Sequence, residues 1–198
     1  KSILRALNFI LQCMYKPHEA ATGFVLDKSI VDNAKKHIGQ QYVLNLDLKD
    51  FFHSFDRNRV KMGFMFDPFY LNGEKEELAF LLACLCTHPF EVNCELKTVL
   101  PQGSPTSPTI TNILCQRLDR RLSGLANRFG ANYTRYADDI TFSSSHNIYK
   151  QIENPELNDN GAYNDFISEL DRLIHEEKLI VNPEKTRLQK AGHRQEAT

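Results

Sequence analysis

Residues 132–142 read NYTRYADDITF, in which two strand-forming runs flank the adjacent acids Asp138 and Asp139. Tyr, Thr, Ile and Phe favour strands, whereas Asp favours tight turns. The pattern predicts a β-hairpin that carries both carboxylates at its tip. An ordinary turn would show the same two acids, so their meaning depends on the rest of the chain.

A third acid, Asp47, ends an apolar strand predicted over residues 42–47 (YVLNLD). A carboxylate beside so many apolar side chains costs free energy unless a cation offsets it. Side chains alternate along a strand, so Asp138 and Asp139 should diverge unless the turn re-aims them. Three acids from two adjacent strands suit hard divalent cations, which take oxygen ligands. Two Mg²⁺ ions held in this way can activate a 3′-hydroxyl and stabilise a leaving pyrophosphate.

Hydrophobic periodicity organises the remaining chain. It predicts helices over residues 1–15, 29–37, 74–87, 106–128 and 163–178, a strand pair over 89–100 and a strand near 179–181. Residues 143–160 are rich in Ser, Asn and Asp and predict a solvated loop. Interleaved helices and antiparallel hairpins indicate the α+β class.

The charge balance excludes a strongly basic, histone-like nucleic-acid binder, because 24 Lys and Arg face 25 Asp and Glu and the net charge is −1. A local basic groove is still allowed. Residues 112–136 hold five Arg and one acid, whereas residues 151–177 hold eight acids and one Arg. The first stretch predicts a face that guides a polymer of phosphates and the second a face that repels it, unless both are merely solvated helix faces.

The cysteines and the apolar runs indicate a cytoplasmic protein with no membrane partner. The five cysteines are odd in number and have no C-x-x-C spacing, which favours free thiols in a reducing compartment. No apolar run approaches the roughly 20 residues of a membrane span, and the first residues lack the small-residue cleavage site of a secretory signal.

Four motifs together resemble those of reverse transcriptases, and they stand in that family's order. They are LDLKDFF at 46–52 (the first catalytic block), LPQGSPTSP at 100–108 (Q-G-x-x-x-S-P), YADD at 136–139 (Y-x-D-D) and NPEKT at 182–186 (the downstream lysine block). A lone Y-x-D-D is weak, but the ordered set is specific. The resemblance implies a polymerase palm, an antiparallel sheet packed on helices, with part of the fingers. Residues 1–41 would be partial fingers, and residues 42–198 the palm with fingers elements at about 57–100.

The resemblance also implies roles for individual residues. Asp47, Asp138 and Asp139 would be catalytic and hold two Mg²⁺ ions, for which Mn²⁺ could substitute, with Asp139 as a secondary ligand. The Leu48 carbonyl would be a further metal ligand. Nucleotide binding would fall to Asp50, Phe51, Phe52, Gln102, Gly103 and Lys185.

Two of these nucleotide-binding residues have a specific expected task. The Phe52 ring would collide with a ribose 2′-hydroxyl and so favour dNTPs, and the alternative for Phe52 is core packing. The Lys185 ammonium would face the triphosphate as an electrostatic stabiliser or proton donor. The alternative for Lys185 is an exposed lysine after a strand.

Two features resemble the retron branch of the family. NAKKH at 33–37 resembles its N-A-x-x-H signature, and QGSPTSP at 102–108 resembles Q-G-A-P-T-S-P with Ser104 in place of Ala. The final residues approach a retron V-T-G motif but carry Ala197 in place of Val. Expected RNA or template contacts are Asn33, His37, Arg117, Arg121 and Arg194, and the alternative for His37 is a capping or core role.

The implied activity is RNA-directed DNA polymerisation, in which dNTPs are added to the 3′-hydroxyl of a DNA or RNA primer on an RNA template. A retron enzyme would copy a structured noncoding RNA and act with an effector protein in anti-phage defence. The alternatives are a defence-associated or abortive-infection enzyme that makes untemplated DNA, a group II intron-like reverse transcriptase, and a palm kept as a non-catalytic RNA-binding scaffold. The first fingers block would precede Lys1 and the thumb would follow Thr198, so these residues alone should be weakly active or inactive.

Overall fold

The computed structural model describes residues 1–92, 94–149 and 162–191. Within them, the helices are α1 (Ser2–Met14), α2 (Ile30–Lys35), α3 (Arg57–Met65), α4 (Glu76–Cys86), α5 (Ser107–Leu114), α6 (Gln116–Arg128) and α7 (Ala162–Glu176). The strands are β1 (Tyr42–Asp47), β2 (His88–Val92), β3 (Glu95–Val99), β4 (Asn132–Tyr136), β5 (Asp139–Ser144) and β6 (Arg187–Lys190). Helices mixed with antiparallel strand pairs confirm the α+β class.

The chain forms two compact units. The helical unit comprises Lys1–Pro17 and Asp50–Gln116, and the sheet unit comprises His18–Lys49 and the described part of Arg117–Thr198. This division differs from the predicted boundary at residue 41. Residues 18–41 belong with the sheet, because the backbone of residues 20–22 pairs with β4.

The helical unit combines α1, α3, α4 and α5 with the β2–β3 hairpin. Helix α1 joins α5 through hydrogen bonds: the Thr109 hydroxyl donates to the Asn8 side chain at 2.6 Å, and the Tyr15 hydroxyl donates to the Asn112 carbonyl at 2.8 Å. Helix α3, which the periodicity does not predict, is capped at Asp56, whose carboxylate accepts the Arg59 backbone N–H at 2.8 Å.

The sheet unit is built on a four-stranded antiparallel sheet in the order β4-β5-β1-β6. One face is apolar: Leu44 of β1 pairs with Phe142 of β5, and both are fully buried. Helix α7 covers this face, since the Phe166 and Phe142 rings meet edge to face at 5.3 Å. Side chains alternate along each strand, so the opposite face carries polar residues of β1, β4 and β5. We call it the polar face, and its polar residues include Asn45, Asp47, Thr134, Asp139, Thr141 and Ser143.

Irregular segments extend this sheet at both sides. Next to β4, the Arg135 N–H donates to the Ala20 carbonyl and the Thr22 N–H donates to the Arg135 carbonyl, each at 2.9 Å. Beyond the end of β1, the Lys49 N–H donates to the Ile180 carbonyl at 2.8 Å. The strand predicted near 179–181 is therefore only an isolated bridge, and the regular strand β6 begins at Arg187.

Two further predictions are wrong. The helix predicted over residues 106–128 is two helices, because the chain leaves the first one at Cys115. The predicted loop starts at residue 143, but Ser143 and Ser144 are the last two residues of β5. Both are buried, and their hydroxyls bond to the His37 ring and the His146 carbonyl, respectively. The rest of that loop, residues 150–161, lies outside the described residues. None of the described helices is both long and apolar enough to cross a membrane.

Candidate active site

Asp47 and Asp139 stand directly opposite each other in the antiparallel pair of β1 and β5. Directly opposed residues project from one face of a sheet, with Cβ atoms about 5 Å apart. Asp138 lies in the turn before β5, and its carbonyl accepts the Leu48 N–H at 3.1 Å. The backbone thus fixes the three predicted catalytic aspartates at one end of the polar face. The register also makes Asp139, expected as a secondary ligand, the direct neighbour of Asp47.

The turn that carries Asp138 is a tight one, because Tyr136 pairs with Asp139 and leaves two residues between the strands. The first of them, Ala137, has a φ of 58°, a left-handed conformation that is uncommon outside glycine. Gly23 lies against this turn: a Cβ at Gly23 would stand 2.6 Å from the Ala137 nitrogen. Glycine is therefore required at position 23, a requirement that no pattern in the sequence signals.

Asp47 holds two partners from the predicted NPEKT block. The Lys185 ammonium lies 2.9 Å from one carboxylate oxygen of Asp47, and the Asn182 amide donates to the other at 3.2 Å. Asn182 also caps the short 3₁₀ turn Pro183–Lys185 by accepting the Glu184 N–H. The hydrogen bond to Asp47 raises the pKa of Lys185, so this side chain is charged at neutral pH. Because 62% of the lysine side chain is exposed, we expect the ion pair to be weak.

The electrostatics of the site favour a cation. Burial raises the pKa of Asp138, and the charge of Asp47 raises it further. Burial together with the charges of Asp138 and Asp47 raises the pKa of Asp139 to about 6. Lys185 alone does not cancel three carboxylates, and a divalent cation would relieve the remaining repulsion.

The donor set fits Mg²⁺ by its chemistry, since carboxylate oxygens and the Leu48 carbonyl are hard ligands. The described residues contain no group of three or more His, Cys, Asp or Glu side chains arranged to hold a metal ion. The three aspartates therefore lie near one another, but their carboxylates do not surround a common position. The Asp47 carboxylate instead bonds to Lys185 and Asn182.

Five of the predicted nucleotide-binding residues belong to the helical unit. They are Asp50, Phe51, Phe52, Gln102 and Gly103. The Phe51 ring is only 3% exposed and meets the Phe55 ring edge to face at 5.2 Å, so it is a core residue whose ring cannot contact a nucleotide. Phe52 is half-buried against Phe51, with part of its surface open, and Asp50 is exposed.

The loop that contains Gln102 and Gly103 rests on the same aromatic turn. The Leu100 N–H donates to the Phe55 carbonyl at 3.0 Å, and the Ser107 hydroxyl holds the Pro101 carbonyl at 2.7 Å. Gln102 and Gly103 are exposed beyond these anchors, and Gly103 has a φ of 82°. The loop therefore presents Gln102 from a fixed backbone.

The predicted RNA contacts at Asn33 and His37 do not fit the structure, because both side chains are buried. His37 bridges two strands: one ring nitrogen lies 2.7 Å from the Ser143 hydroxyl and the other 2.7 Å from the Thr134 hydroxyl. Burial lowers the pKa of His37 to about 4, so the ring is neutral at pH 7. The core role is the one that His37 fills.

The two charged faces predicted as separate meet each other. Arg121 of α6 pairs with Glu176 at 2.5 Å and Glu177 at 3.6 Å, and Arg117 pairs with Glu177 at 3.2 Å. Acids at the end of α7 thus partly neutralise the basic side of α6. Arg117 is still 64% exposed, so its expected RNA contact stays a prediction. Arg194 lies outside the described residues.

Arg135, a fifth basic residue of the same stretch, is not on a surface at all. Its side chain is fully buried, and so is that of Asp119 on α6, with which it forms a two-point ion pair at 2.8 and 2.7 Å. The Tyr133 hydroxyl donates to the same carboxylate at 2.7 Å. A sequence count of charges cannot distinguish this buried arginine from the exposed ones.

Comparison with known proteins agrees with the motifs. The family model for reverse transcriptase (RNA-dependent DNA polymerase) matches residues 1–195. The chain is 40% identical over 191 residues to the retron Mx162 reverse transcriptase of Myxococcus xanthus, covering 91% of this chain and 38% of that protein. It is 35% identical over 164 residues to the retron Ec86 reverse transcriptase of Escherichia coli, covering 83% of this chain and 43% of that protein. The chain thus spans about two fifths of the length of these relatives.

Solved structures show the same fold at low sequence identity. An apo telomerase from Candida tropicalis, truncated from its C-terminal domain, matches with a TM-score of 0.55 and 15% identity over 98% of this chain and 41% of that one. A Candida albicans telomerase in complex with a TWJ fragment of telomeric RNA matches with a TM-score of 0.55 and 14% identity, over 96% of this chain and 35% of that one.

Proposed function

The chain belongs to the reverse transcriptase family and is of the retron type, and on this premise we propose that the whole protein is an RNA-directed DNA polymerase. It adds dNTPs to the 3′-hydroxyl of a primer along an RNA template. The observation that carries the proposal is the opposition of Asp47 and Asp139 across two strands, with Asp138 in the adjoining turn.

The aspartates of the sheet unit hold the divalent ions, for which Mg²⁺ is the proposed species and Mn²⁺ a substitute. When bound, these ions favour ionisation of the primer hydroxyl and offset the charge that develops on pyrophosphate. The primer hydroxyl loses its proton to solvent water, its oxygen forms a bond to the α-phosphorus, the bond between the α-phosphorus and the bridging oxygen breaks, and pyrophosphate leaves with that electron pair. Asp47 and Asp139 supply ligands from opposite strands, and Asp138 and the Leu48 carbonyl complete the set.

Lys185 has two tasks in this scheme. In the structure its ammonium neutralises Asp47, and its exposure lets it move away at little cost. With Asp47 engaged by a bound divalent ion, the Lys185 ammonium would be free to face the triphosphate, where it would stabilise negative charge and could give a proton to pyrophosphate.

We assign the four-stranded sheet with its three aspartates to the palm, and residues of about 57–100 in the helical unit to fingers elements. The helical unit offers the half-buried Phe52 ring for the incoming sugar and the exposed Gln102 with Gly103 for the nucleotide and template. A ring beneath the sugar excludes a 2′-hydroxyl and so selects dNTPs. The proposed template is a structured noncoding RNA. That template, the effector partner and the anti-phage role rest on the likeness to retron enzymes, and the proposed cytoplasmic location rests on the number and spacing of the cysteines.

The test is dNTP incorporation by the whole protein on an RNA template with a primer and Mg²⁺. We expect template-dependent DNA in the wild type and none in Asp47→Asn. Phe52→Ala should admit rNTPs that the wild type rejects. DNA made equally well without a template would favour the untemplated alternative, and a wild type that binds RNA but makes no DNA would favour the scaffold.

A further inference from the structure

Arg135 and Asp119 are the most buried charged residues in the described part of the sheet unit, and they lie beside the turn between β4 and β5 that carries Asp138, which we call the aspartate turn. Both side chains have no exposed surface. Arg135 is the fourth residue of β4, three positions before Asp138, and Asp119 lies on the first turn of α6. The guanidinium joins Asp119 through its Nε and one terminal nitrogen, so its orientation is fixed in two directions.

The remaining terminal nitrogen of Arg135 reaches the turn itself. Its Nη1 donates to the Ala137 carbonyl at 3.0 Å. Ala137 is the residue with the left-handed φ of 58°, and its carbonyl belongs to the peptide group that leads into Asp138. A non-glycine residue holds this conformation only where its surroundings impose it. The hydrogen bond from Arg135 is such a constraint.

Gly23 also constrains this turn. A Cβ there would stand 2.6 Å from the Ala137 nitrogen and 3.0 Å from the Tyr136 carbonyl carbon. The backbone around Gly23 is itself held by Arg135, because the main chain of Arg135 bonds to both Ala20 and Thr22. The turn is thus set between a buried guanidinium and a closely packed glycine segment.

A contribution to stability does not by itself explain why Arg135 and Asp119 are present. Proteins in which well-packed apolar residues replace a buried ion pair are often equally or more stable. An apolar pair would fill the space but could not hold the Ala137 carbonyl.

We propose that Arg135, fixed by Asp119, is a positioning residue for the aspartate turn: through the Ala137 carbonyl it sets the place of Asp138 and Asp139 relative to Asp47. The inference rests on the proposed function, and it predicts a loss of metal binding that can be measured without catalysis.

The decisive variant replaces the whole buried network by apolar residues: Tyr133→Phe, Asp119→Leu and Arg135→Met together in the whole protein. We expect a melting temperature close to the wild type, about tenfold weaker Mn²⁺ binding by electron paramagnetic resonance, and a kcat about a hundredfold lower. The KM for dNTP should change little, because Phe52, Gln102 and Gly103 lie in the helical unit and the substitutions leave Lys185 unchanged. A folded triple variant with wild-type Mn²⁺ affinity and kcat would overturn the proposal.

Tyr133→Phe alone is the matched control. It removes a hydrogen bond to Asp119 but leaves the bond from Arg135 to Ala137, so Mn²⁺ affinity and kcat should match the wild type. If the triple variant fails to fold, Arg135→Lys decides, because lysine keeps the charge but cannot reach both Asp119 and Ala137. Weaker Mn²⁺ binding at an unchanged melting temperature supports the proposal, and unchanged Mn²⁺ binding contradicts it.

A second route to the same turn is Gly23→Ala, compared with Gly124→Ala, where an added Cβ meets nothing within 4 Å. Gly23→Ala should weaken Mn²⁺ binding and lower kcat as the triple variant does, with a lower melting temperature because the added Cβ meets backbone at 2.6 Å, and Gly124→Ala should show none of these changes. Equal behaviour of the two would contradict the account of the turn. If the wild-type protein binds Mn²⁺ but incorporates no dNTP, the proposed polymerase function fails while the positioning role is still judged from Mn²⁺ binding.

Discussion

The two ends of the polar face use polar residues in opposite ways. At one end, Asp47, Asp138 and Asp139 gather like charges with one exposed lysine to offset them. At the other end, the neutral His37 ring lies between the Thr134 and Ser143 hydroxyls, with a hydrogen bond on each nitrogen. Ser143 and Asp139 are on the same strand, four residues apart.

The difference shows how to read polar residues in a buried sheet. Neutral groups that satisfy each other's hydrogen bonds stabilise the fold and leave nothing for a ligand. Carboxylates that lie close together repel each other and so lower the stability of the fold. A role in binding a cation explains why a protein keeps such a cluster. Both ends belong to motifs that resemble the family, but only the acidic end is arranged for chemistry.

The largest effect should come from the acidic end. Asp138→Asn removes a proposed metal ligand and should reduce dNTP incorporation by about a thousandfold, which corresponds to about 4 kcal/mol of transition-state stabilisation. The melting temperature of the metal-free protein should stay equal or rise, because the substitution removes repulsion. A variant with substantial activity, or one that simply unfolds, would contradict the assignment.

The opposite pattern is expected at the neutral end. His37→Ala leaves the Thr134 and Ser143 hydroxyls without their ring partner and should lower the free energy of unfolding by about 3 kcal/mol, measured by urea denaturation. The incorporation rate per folded molecule should stay within a few-fold of the wild type. His37→Gln, which can still donate and accept, should recover part of the stability. A loss of activity in fully folded His37→Gln would mean that this end also serves catalysis.

The pH dependence of stability should separate the two ends in metal-free protein. The pKa of Asp139 is raised to about 6, so the folded state binds its proton more readily and Asp139 favours folding increasingly as pH falls from about 6 toward 4. The pKa of His37 is lowered to about 4, so its contribution is present above about 6.5 and is lost as pH falls.

The two effects oppose each other in one window, each amounting to about 3 kcal/mol at most, and to less for the half-buried Asp139 because solvent screens it. Melting temperatures between pH 4 and 7 should therefore fall more steeply with acid in Asp139→Asn and less steeply in His37→Gln than in the wild type. Parallel curves for the three proteins would show that neither group titrates as the structure indicates.

The smallest effect concerns Lys185. Lys185→Met frees Asp47 from its ammonium and should strengthen Mn²⁺ binding by about two- to fivefold, as expected for removal of an exposed ion pair. Incorporation of dNTPs should nevertheless fall, because the cation is missing from the triphosphate. Weaker Mn²⁺ binding in Lys185→Met would mean that the ammonium supports the metal site rather than competes for it.

The acidic end could be predicted because its signals are local. The hairpin around Asp138 and Asp139 and the strand that ends at Asp47 follow from short-range pattern and turn preference, as does helix α4. The direct opposition of Asp47 and Asp139 is a matter of register, which these patterns leave open.

The buried polar contacts could not be predicted, since they join residues far apart in the chain. His37 meets Ser143 across 106 positions, and Gly23 meets the turn at Ala137 across more than a hundred. In the sequence, Arg135 cannot be distinguished from the exposed arginines near it, and only the structure shows its ion pair with Asp119. Periodicity also leaves out the end of α5 at Cys115 and the short helix α3.

The most direct test is a Mn²⁺ titration of the whole protein, followed by electron paramagnetic resonance, with Asp138→Asn and His37→Gln as the two arms. We predict that the wild type binds Mn²⁺, that Asp138→Asn loses this binding, and that folded His37→Gln keeps it. No binding in the wild type, or equal binding in all three proteins, would contradict the claim that the aspartate end of the polar face is a metal site.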